Sequence, residues 1–598
     1  MSFPHSLKIS GLLFIAMMGM LVVWPIRFAD DFFLTLWISF FWAFGIGLAS
    51  DLNAWKGRVL TFLLALLPVV AGAIYYGVSF SSDESFLVAG VIPWSDAYMH
   101  FRQAAQMATE GVIHTAMNGR FLYPAYFSSL LTMTNGQLLW AEMLMGLSFA
   151  TVLVMVLRAT ASICRAPGAM IMAFGCWLFF RERCSGLIMT ENLGLLCGLL
   201  SLALFLKATE RRNLWLLLFG IFMLALGFCA RPGALFVLPL IVFFAAYAAS
   251  HQWEGWLLTH LSRFWKSGVV MFLALVMILA AFGSNSLLLT TLYQGKKVIV
   301  NGNFPFTLYG MLTGGKWSNA ASYFQWNSER AMQESLSLIK ERPQLLVMGA
   351  ARAYKEAVAR RIFFMFHHES RPATMLLLLA VLGLVLLWNR NLKSLRPYAL
   401  WVTLIAIGIL ASIPFIPPWD ADERPLAVTF PFQALMASIG FFALVRWLIF
   451  TITKKIFFKE VNRKTSAWPL VFFSIGIFLL SVPFPISHRF FIARREALEN
   501  LIPSNSRSKA SLFCAGSIAT LNPQNYEDVR RRMAPFLAHN LDQEFLLRLF
   551  TEQSSFGIDW GSKNFDRCII LPGVSKRTDI NSWKVDDRLL PSLSNTHE

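Results

Sequence analysis

The sequence predicts an all-α polytopic membrane protein with amphipathic helices on its outer face and a small C-terminal α+β soluble domain. Three observations carry that prediction. Hydrophobic residues make up 56% of the 598 residues and charged residues only 14%, with a mean hydropathy of +0.56, whereas a soluble globular chain carries about 25% charged residues. The apolar residues are gathered into runs of about twenty, long enough to cross the hydrocarbon core of a bilayer. The Lys and Arg residues, 52 against 34 Asp and Glu for a net charge of +18, sit mainly in short loops between those runs. That placement is a topology signal, not the basic face of a nucleic-acid binder, so membrane lipids are expected partners and nucleic acid is not.

The runs begin near Ile9, Phe32, Val59, Leu138, Ala166, Met189, Leu214, Ala234, Val269, Ala373, Pro397, Pro431 and Ala467, which makes about thirteen transmembrane helices by the bilayer-length rule. The run near Ala166 is short and is closed by Arg181 and Arg183. The first run, 9–26, is longer than the apolar core of a secretory signal and no small-residue cleavage site follows it; it reads as a span. A cytoplasmic N-terminus puts the basic loops inside together: Lys56/Arg58, Arg158/Arg165, Lys207/Arg211/Arg212, Arg263/Lys266, Arg390/Lys393/Arg396 and the long run 446–464.

This orientation makes 1–486 a transmembrane domain with outer loops at 79–137 and 291–372, a short outer loop at 414–429, and 487–598 as a soluble domain on the same face. The tail reads as α+β, with strands at Leu512-Phe513-Cys514 and Cys568-Ile569-Ile570-Leu571 and helical spacing over 526–550. On an oxidising face Cys514 and Cys568 either pair as a disulfide or stay free. The other cysteines fall mostly within spans and read as small core residues. No N-x-S/T sequon occurs in the chain, which favours a bacterial plasma (inner) membrane, with the outer face periplasmic.

The segment 93–124 is a polar island between apolar runs. It opens on a solitary acid, Asp96, beside Trp94 and Tyr98. Ala97, Phe101, Ala104, Ala105 and Ala108 then recur at three- and four-residue steps, until Gly111 ends the helix and Gly119-Arg120 with Tyr123-Pro124 leads into the next run. Asp96 fits a helix N-cap and equally a general base desolvated by its aromatic neighbours. His100, one turn on, reads as a second polar partner or as an interfacial histidine, with the interfacial role preferred.

Glu191 lies at the outer end of an apolar helix, where a carboxylate needs a partner or serves as a cap. Arg231-Pro232 puts a guanidinium in an outer turn, suited to a phosphate at the lipid surface or to snorkelling. Arg120, Lys296, Lys297, Arg181, Arg183 and Arg424 are further cations on that face, and together they point to an anionic substrate. The second loop interleaves amides, glycines and aromatics from Asn301 through Tyr309 to Lys316-Trp317, a composition for a sugar-binding cleft or an interfacial aromatic belt. From Glu329 to Phe366 the pattern predicts two helices lying on the membrane, broken at Pro343. Adjacent His367 and His368 point to different sides of a helix, so no metal site is expected there. The loop 417–425, with Asp420, Asp422, Glu423 and Arg424, reads either as a salt-bridged turn or as a lid.

In their order, these pieces resemble the GT-C superfamily of integral-membrane glycosyltransferases, in particular bacterial relatives of dolichyl-phosphate-mannose–protein mannosyltransferases and lipid A aminoarabinose transferases. The residues that carry the resemblance are Ser95-Asp96-Ala97-Tyr98 with the helix to Gly111, Gly119-Arg120, Tyr123-Pro124, Thr190-Glu191, Arg231-Pro232, Thr307-Leu308-Tyr309-Gly310 through Trp317, and Glu423-Arg424 before Pro431. It covers roughly 94–444 and leaves the tail unaccounted for. Two departures stand out. Two extra apolar runs precede Asp96, three in all where many relatives have one, and Asp96 lacks an adjacent second acid, Asp83 and Glu84 lying upstream.

The resemblance implies a GT-C-like fold and transfer of a sugar from a polyprenyl-phosphate donor to an acceptor hydroxyl on a glycan, lipid or protein. It implies Asp96 as the base of an inverting displacement. Arg120, Tyr123, Glu191, Arg231, Lys296, Lys297, Tyr309, Lys316 and Arg424 are the expected substrate-binding residues. No cofactor is implied. Two other classes remain: a transporter or flippase for a lipid-linked sugar, and an oligosaccharide polymerase or ligase. No internal repeat or mid-membrane charge array supports the first, and the second needs no Asp-led helix.

Overall fold

A computed structural model describes residues 42–50, 57–67, 87–88, 92–93, 95–111, 113, 120–134, 138–184, 187–251, 253, 262–292, 303–359, 370–389, 395–416, 424–453, 468–481, 510–514, 568–572, 574–576 and 583–585. Helices begin within a few residues of each expected run from Val59 onward. They are Gly57–Leu67, Leu138–Arg183, Glu191–Arg211, Leu214–Ala230, Val237–Ser250, Arg263–Leu292, Ser370–Leu387, Arg396–Ser412, Phe430–Thr453 and Trp468–Ser481. Among the described residues, 5 stretches are both long and apolar enough to cross a membrane: Trp140–Phe180, Glu191–Arg211, Arg263–Leu292, Arg396–Phe415 and Phe430–Leu448. The run near Ile9 lies outside the described residues, and the run near Phe32 is described only over 42–50.

Leu138–Arg183 is 46 residues long, about 70 Å if straight and more than twice a bilayer core. It is not straight. Arg165 leaves helical geometry at φ 58 and ψ −166, two residues before Pro167, whose ring and missing N–H break the ladder. The two runs expected near Leu138 and Ala166 are the arms of this kinked pair.

Glu191–Arg211 is the centre of the bundle, with its spanning window wholly buried. It packs along Leu214–Ala230 and against the kinked pair, and Phe430–Thr453 packs against both the kinked pair and the central helix itself. Arg263–Leu292 occupies the opposite extreme. Its Phe264, Phe272, Leu279 and Leu287 are exposed, as suits a helix whose outward face meets lipid tails.

The helix 95–110 forms as its spacing predicts, burying Ala97, Phe101, Ala104, Met107 and Ala108 against Leu122–Met133. Gly111 ends it at φ 68, with its N–H on the Met107 carbonyl; glycine takes that left-handed conformation without steric cost. The two amphipathic helices also form, as Ser328–Glu341 and Gln344–Ala359 on either side of Pro343. They cover Phe304–Thr313, where the Arg352 guanidinium donates to the Met311 and Leu312 carbonyls at 3.3 and 3.2 Å. In the tail, Ala510–Cys514 pairs antiparallel with Cys568–Pro572, Cys514 opposite Cys568. Val574–Lys576 pairs with Trp583–Val585. The helix expected over 526–550 and the His367-His368-Glu369 triplet lie outside the described residues.

Candidate functional site

Four of the residues singled out in the sequence converge at the N-terminal end of the central helix. Glu191 is the first residue of that helix, its side chain 1% exposed. Its Oε1 accepts from Arg424 Nε at 2.5 Å and lies 3.4 Å from Arg231 Nη2. Its Oε2 accepts from the Thr190 hydroxyl at 3.1 Å. Arg424 reaches the other way as well, with Nη2 3.7 Å from Asp96 Oδ2. One arginine therefore joins a buried carboxylate to a second carboxylate that is 43% exposed.

Three local features build this geometry. Asp96 lies in the first turn of a helix that starts at Ser95, rather than at its cap. Arg231 follows the last residue of Leu214–Ala230 in extended backbone, with its N–H closing on the Gly227 carbonyl. Arg424 opens the 3-10 turn Arg424–Leu426, just before Phe430–Thr453. Glycines bring the three together. A Cβ on Gly233 would run into the Pro425 carbonyl oxygen, and one on Gly198 into that of Val428. Gly194 and Gly198 are four residues apart on the central helix, a small-residue face that admits a neighbouring backbone.

The partner reading of Glu191 holds, since it binds two guanidiniums; the N-cap position is Thr190, whose side chain makes no capping hydrogen bond. Arg231 is buried against that carboxylate, not snorkelling. Arg424 pairs outside its own loop; Asp420, Asp422 and Glu423 lie outside the described residues, as does Trp94. Arg120 is half-buried just before Leu122–Met133 and within electrostatic reach of Glu191, Arg424 and Asp96. Among the described residues around Arg231, the guanidiniums of Arg120, Arg231 and Arg424 thus outnumber the carboxylates of Asp96 and Glu191, a positive balance.

The other expected site residues are placed differently. Tyr123 is fully buried, with its hydroxyl on Met145 Sδ at 3.9 Å. Tyr309 packs in a separate aromatic group, 4.7 Å from Phe324 and stacked on Tyr323, and Lys316 is exposed beside it. Lys296 and Lys297 lie outside the described residues. His100 corrects the sequence reading. It is not interfacial but 6% exposed, edge-on to Tyr123 at 5.7 Å, and in the field of Asp96, Glu191, Arg120 and Arg231. The signal was its four-residue step from Asp96, which sets both on one helix face.

No family model matches the chain, and no curated protein matches it. Among solved structures it is similar to the Archaeoglobus fulgidus oligosaccharyltransferase in complex with Zn and sulfate, at 13% identity and a TM-score of 0.35, over 72% of this chain and 52% of that one. It is also similar to the archaeal oligosaccharyltransferase AglB from Archaeoglobus fulgidus in complex with an inhibitory peptide and a dolichol-phosphate, at 12% identity and a TM-score of 0.34, over 74% of this chain and 56% of that one. The chain thus spans about half the length of the structures it matches. The residues of this chain, not that likeness, support the reading that follows.

Proposed function

We propose that this chain is a membrane glycosyltransferase that moves a sugar from a polyprenyl-phosphate donor to an acceptor hydroxyl on the periplasmic face of a bacterial inner membrane. The observation that carries this reading is the half-exposed Asp96 carboxylate at the rim of a buried, net-positive cluster, tied to it by Arg424 at 3.7 Å.

The two acids have different chemistry open to them. Glu191 is enclosed and occupied on both oxygens, so it orients cations. Asp96 is open to an incoming group and fits a general base. It takes the proton of the acceptor hydroxyl as that oxygen attacks the anomeric carbon, and the bond to phosphate breaks on the opposite side. The leaving group changes from a phosphodiester with one negative charge to a monoester approaching two. Fixed guanidiniums that gain most as this charge develops favour the transition state over the ground state. Arg231, Arg424 and Arg120 supply that field.

The test uses purified protein in nanodiscs, a panel of polyprenyl-phosphate sugars and crude envelope acceptor. Release of polyprenyl phosphate with an inverted anomeric centre in the product supports the reading. Binding of the lipids with no release from any of them replaces it with transport.

A further inference from the structure

His100 is a buried polar side chain at the cluster that the mechanism above does not use. Its Nδ1 is buried and has no hydrogen-bond partner among the described residues. Its ring is held edge-on, at 86°, by a tyrosine itself locked in the core. Orphaned buried polar atoms are uncommon, because leaving one unmade costs about 1–3 kcal/mol. Charged groups act on it from several elements: Asp96 on its own helix, Glu191 on the central helix, Arg120 and Arg231 from the adjoining segments.

Burial pushes the imidazole down to about 4 against the pull of Asp96 and Glu191, with Arg120 and Arg231 adding to the lowering. At neutral pH the ring is therefore uncharged, with one donor nitrogen and one acceptor. Among guanidiniums and carboxylates it is the group suited to an uncharged partner. A hydroxyl fits; a phosphate does not need it. Its four-residue step from Asp96 puts such a hydroxyl within one helical turn of the base.

We infer that His100 binds a ring hydroxyl of the sugar carried by the donor, through Nδ1, and so sets how that sugar lies against Asp96. This rests on the glycosyltransferase reading. It makes His100 a residue for sugar recognition, while the arginines hold the phosphate.

The experiment measures binding of two probes, bare polyprenyl phosphate and polyprenyl-phosphate hexoses, to the full chain in nanodiscs. The variants are His100→Phe, His100→Asn and His100→Gln. Phenylalanine keeps the ring and its contact with Tyr123. Asparagine restores a polar atom at the Nδ1 position, and glutamine places it where Nε2 stands. His100→Phe should weaken the sugar-bearing lipid about tenfold, the worth of one net hydrogen bond, and leave the bare lipid unchanged. His100→Asn should recover most of the loss and His100→Gln little of it. Equal loss on both probes, no loss on either, or better recovery by glutamine overturns the inference and leaves the transferase reading standing. A wild type that binds neither probe overturns both.

Discussion

Arg424 donates to Glu191 across 233 positions of sequence, and the same carboxylate oxygen takes Arg231 from a third segment. The acid at the head of the central helix is thereby the anchor of the cluster. Asp96, held only at 3.7 Å and half open, is the acid left available for chemistry. That division of labour makes the two carboxylates separable by experiment.

Glu191→Gln should destabilise the protein by about 3–5 kcal/mol, because it removes the buried counter-charge that Arg231 and Arg424 share. Asp96→Asn should cost less than about 1 kcal/mol, since an exposed ion pair is weak. Thermal unfolding in one detergent compares them directly; similar losses would contradict the assignment.

Arg424→Lys should not substitute. A lysine has a point charge where the guanidinium uses Nε toward one acid and Nη2 toward another. In a double-mutant cycle, Arg424→Met and Glu191→Gln together should destabilise less than the sum of the two alone, by about 1–3 kcal/mol. Additivity within error would mean the pair does not form in solution.

Much of this was legible in the sequence. Runs of about twenty apolar residues located the helices because a bilayer fixes their length. The arginines at turns and the acid at a helix start marked the cluster. What periodicity cannot report is which segments meet. Asp96, Glu191, Arg231 and Arg424 come from four separated segments, and only the close approach over Gly194, Gly198 and Gly233 decides that they join. His100 was misplaced for the same reason: a histidine next to an apolar face reads alike whether lipid or protein covers it. Tyr309 and Lys316 carried a sugar-site composition, yet they sit in a second aromatic group apart from the charges.

Gly233→Ala should disturb the site from outside it. The new methyl collides with the Pro425 carbonyl oxygen and forces apart the two turns that carry Arg231 and Arg424. Gly268→Ala is the control: it lies within the Arg263–Leu292 helix, where a Cβ meets nothing within 4 Å, and should be neutral or stabilising by up to about 1 kcal/mol. Melting curves of the two variants should shift in opposite directions or differ clearly in size.

Stability should also depend on pH through His100. Its folded value, about 4, lies below the ordinary histidine value of 6.5, so between those values the unfolded chain binds the extra proton. Stability from this group is therefore complete above about 6.5 and is lost as pH falls toward about 4. His100→Phe should flatten that part of the melting-temperature profile. An unchanged slope between pH 6.5 and 4 would show that another group is responsible.

The most direct test of the central claim is the rate of polyprenyl-phosphate release by wild type and by Asp96→Asn, on the same donor and acceptor, with both proteins folded to the same melting temperature. Removing a positioned base should lower the rate by about 100- to 10,000-fold while the donor still binds. A variant that turns over at the wild-type rate would contradict the assignment of Asp96 as the base.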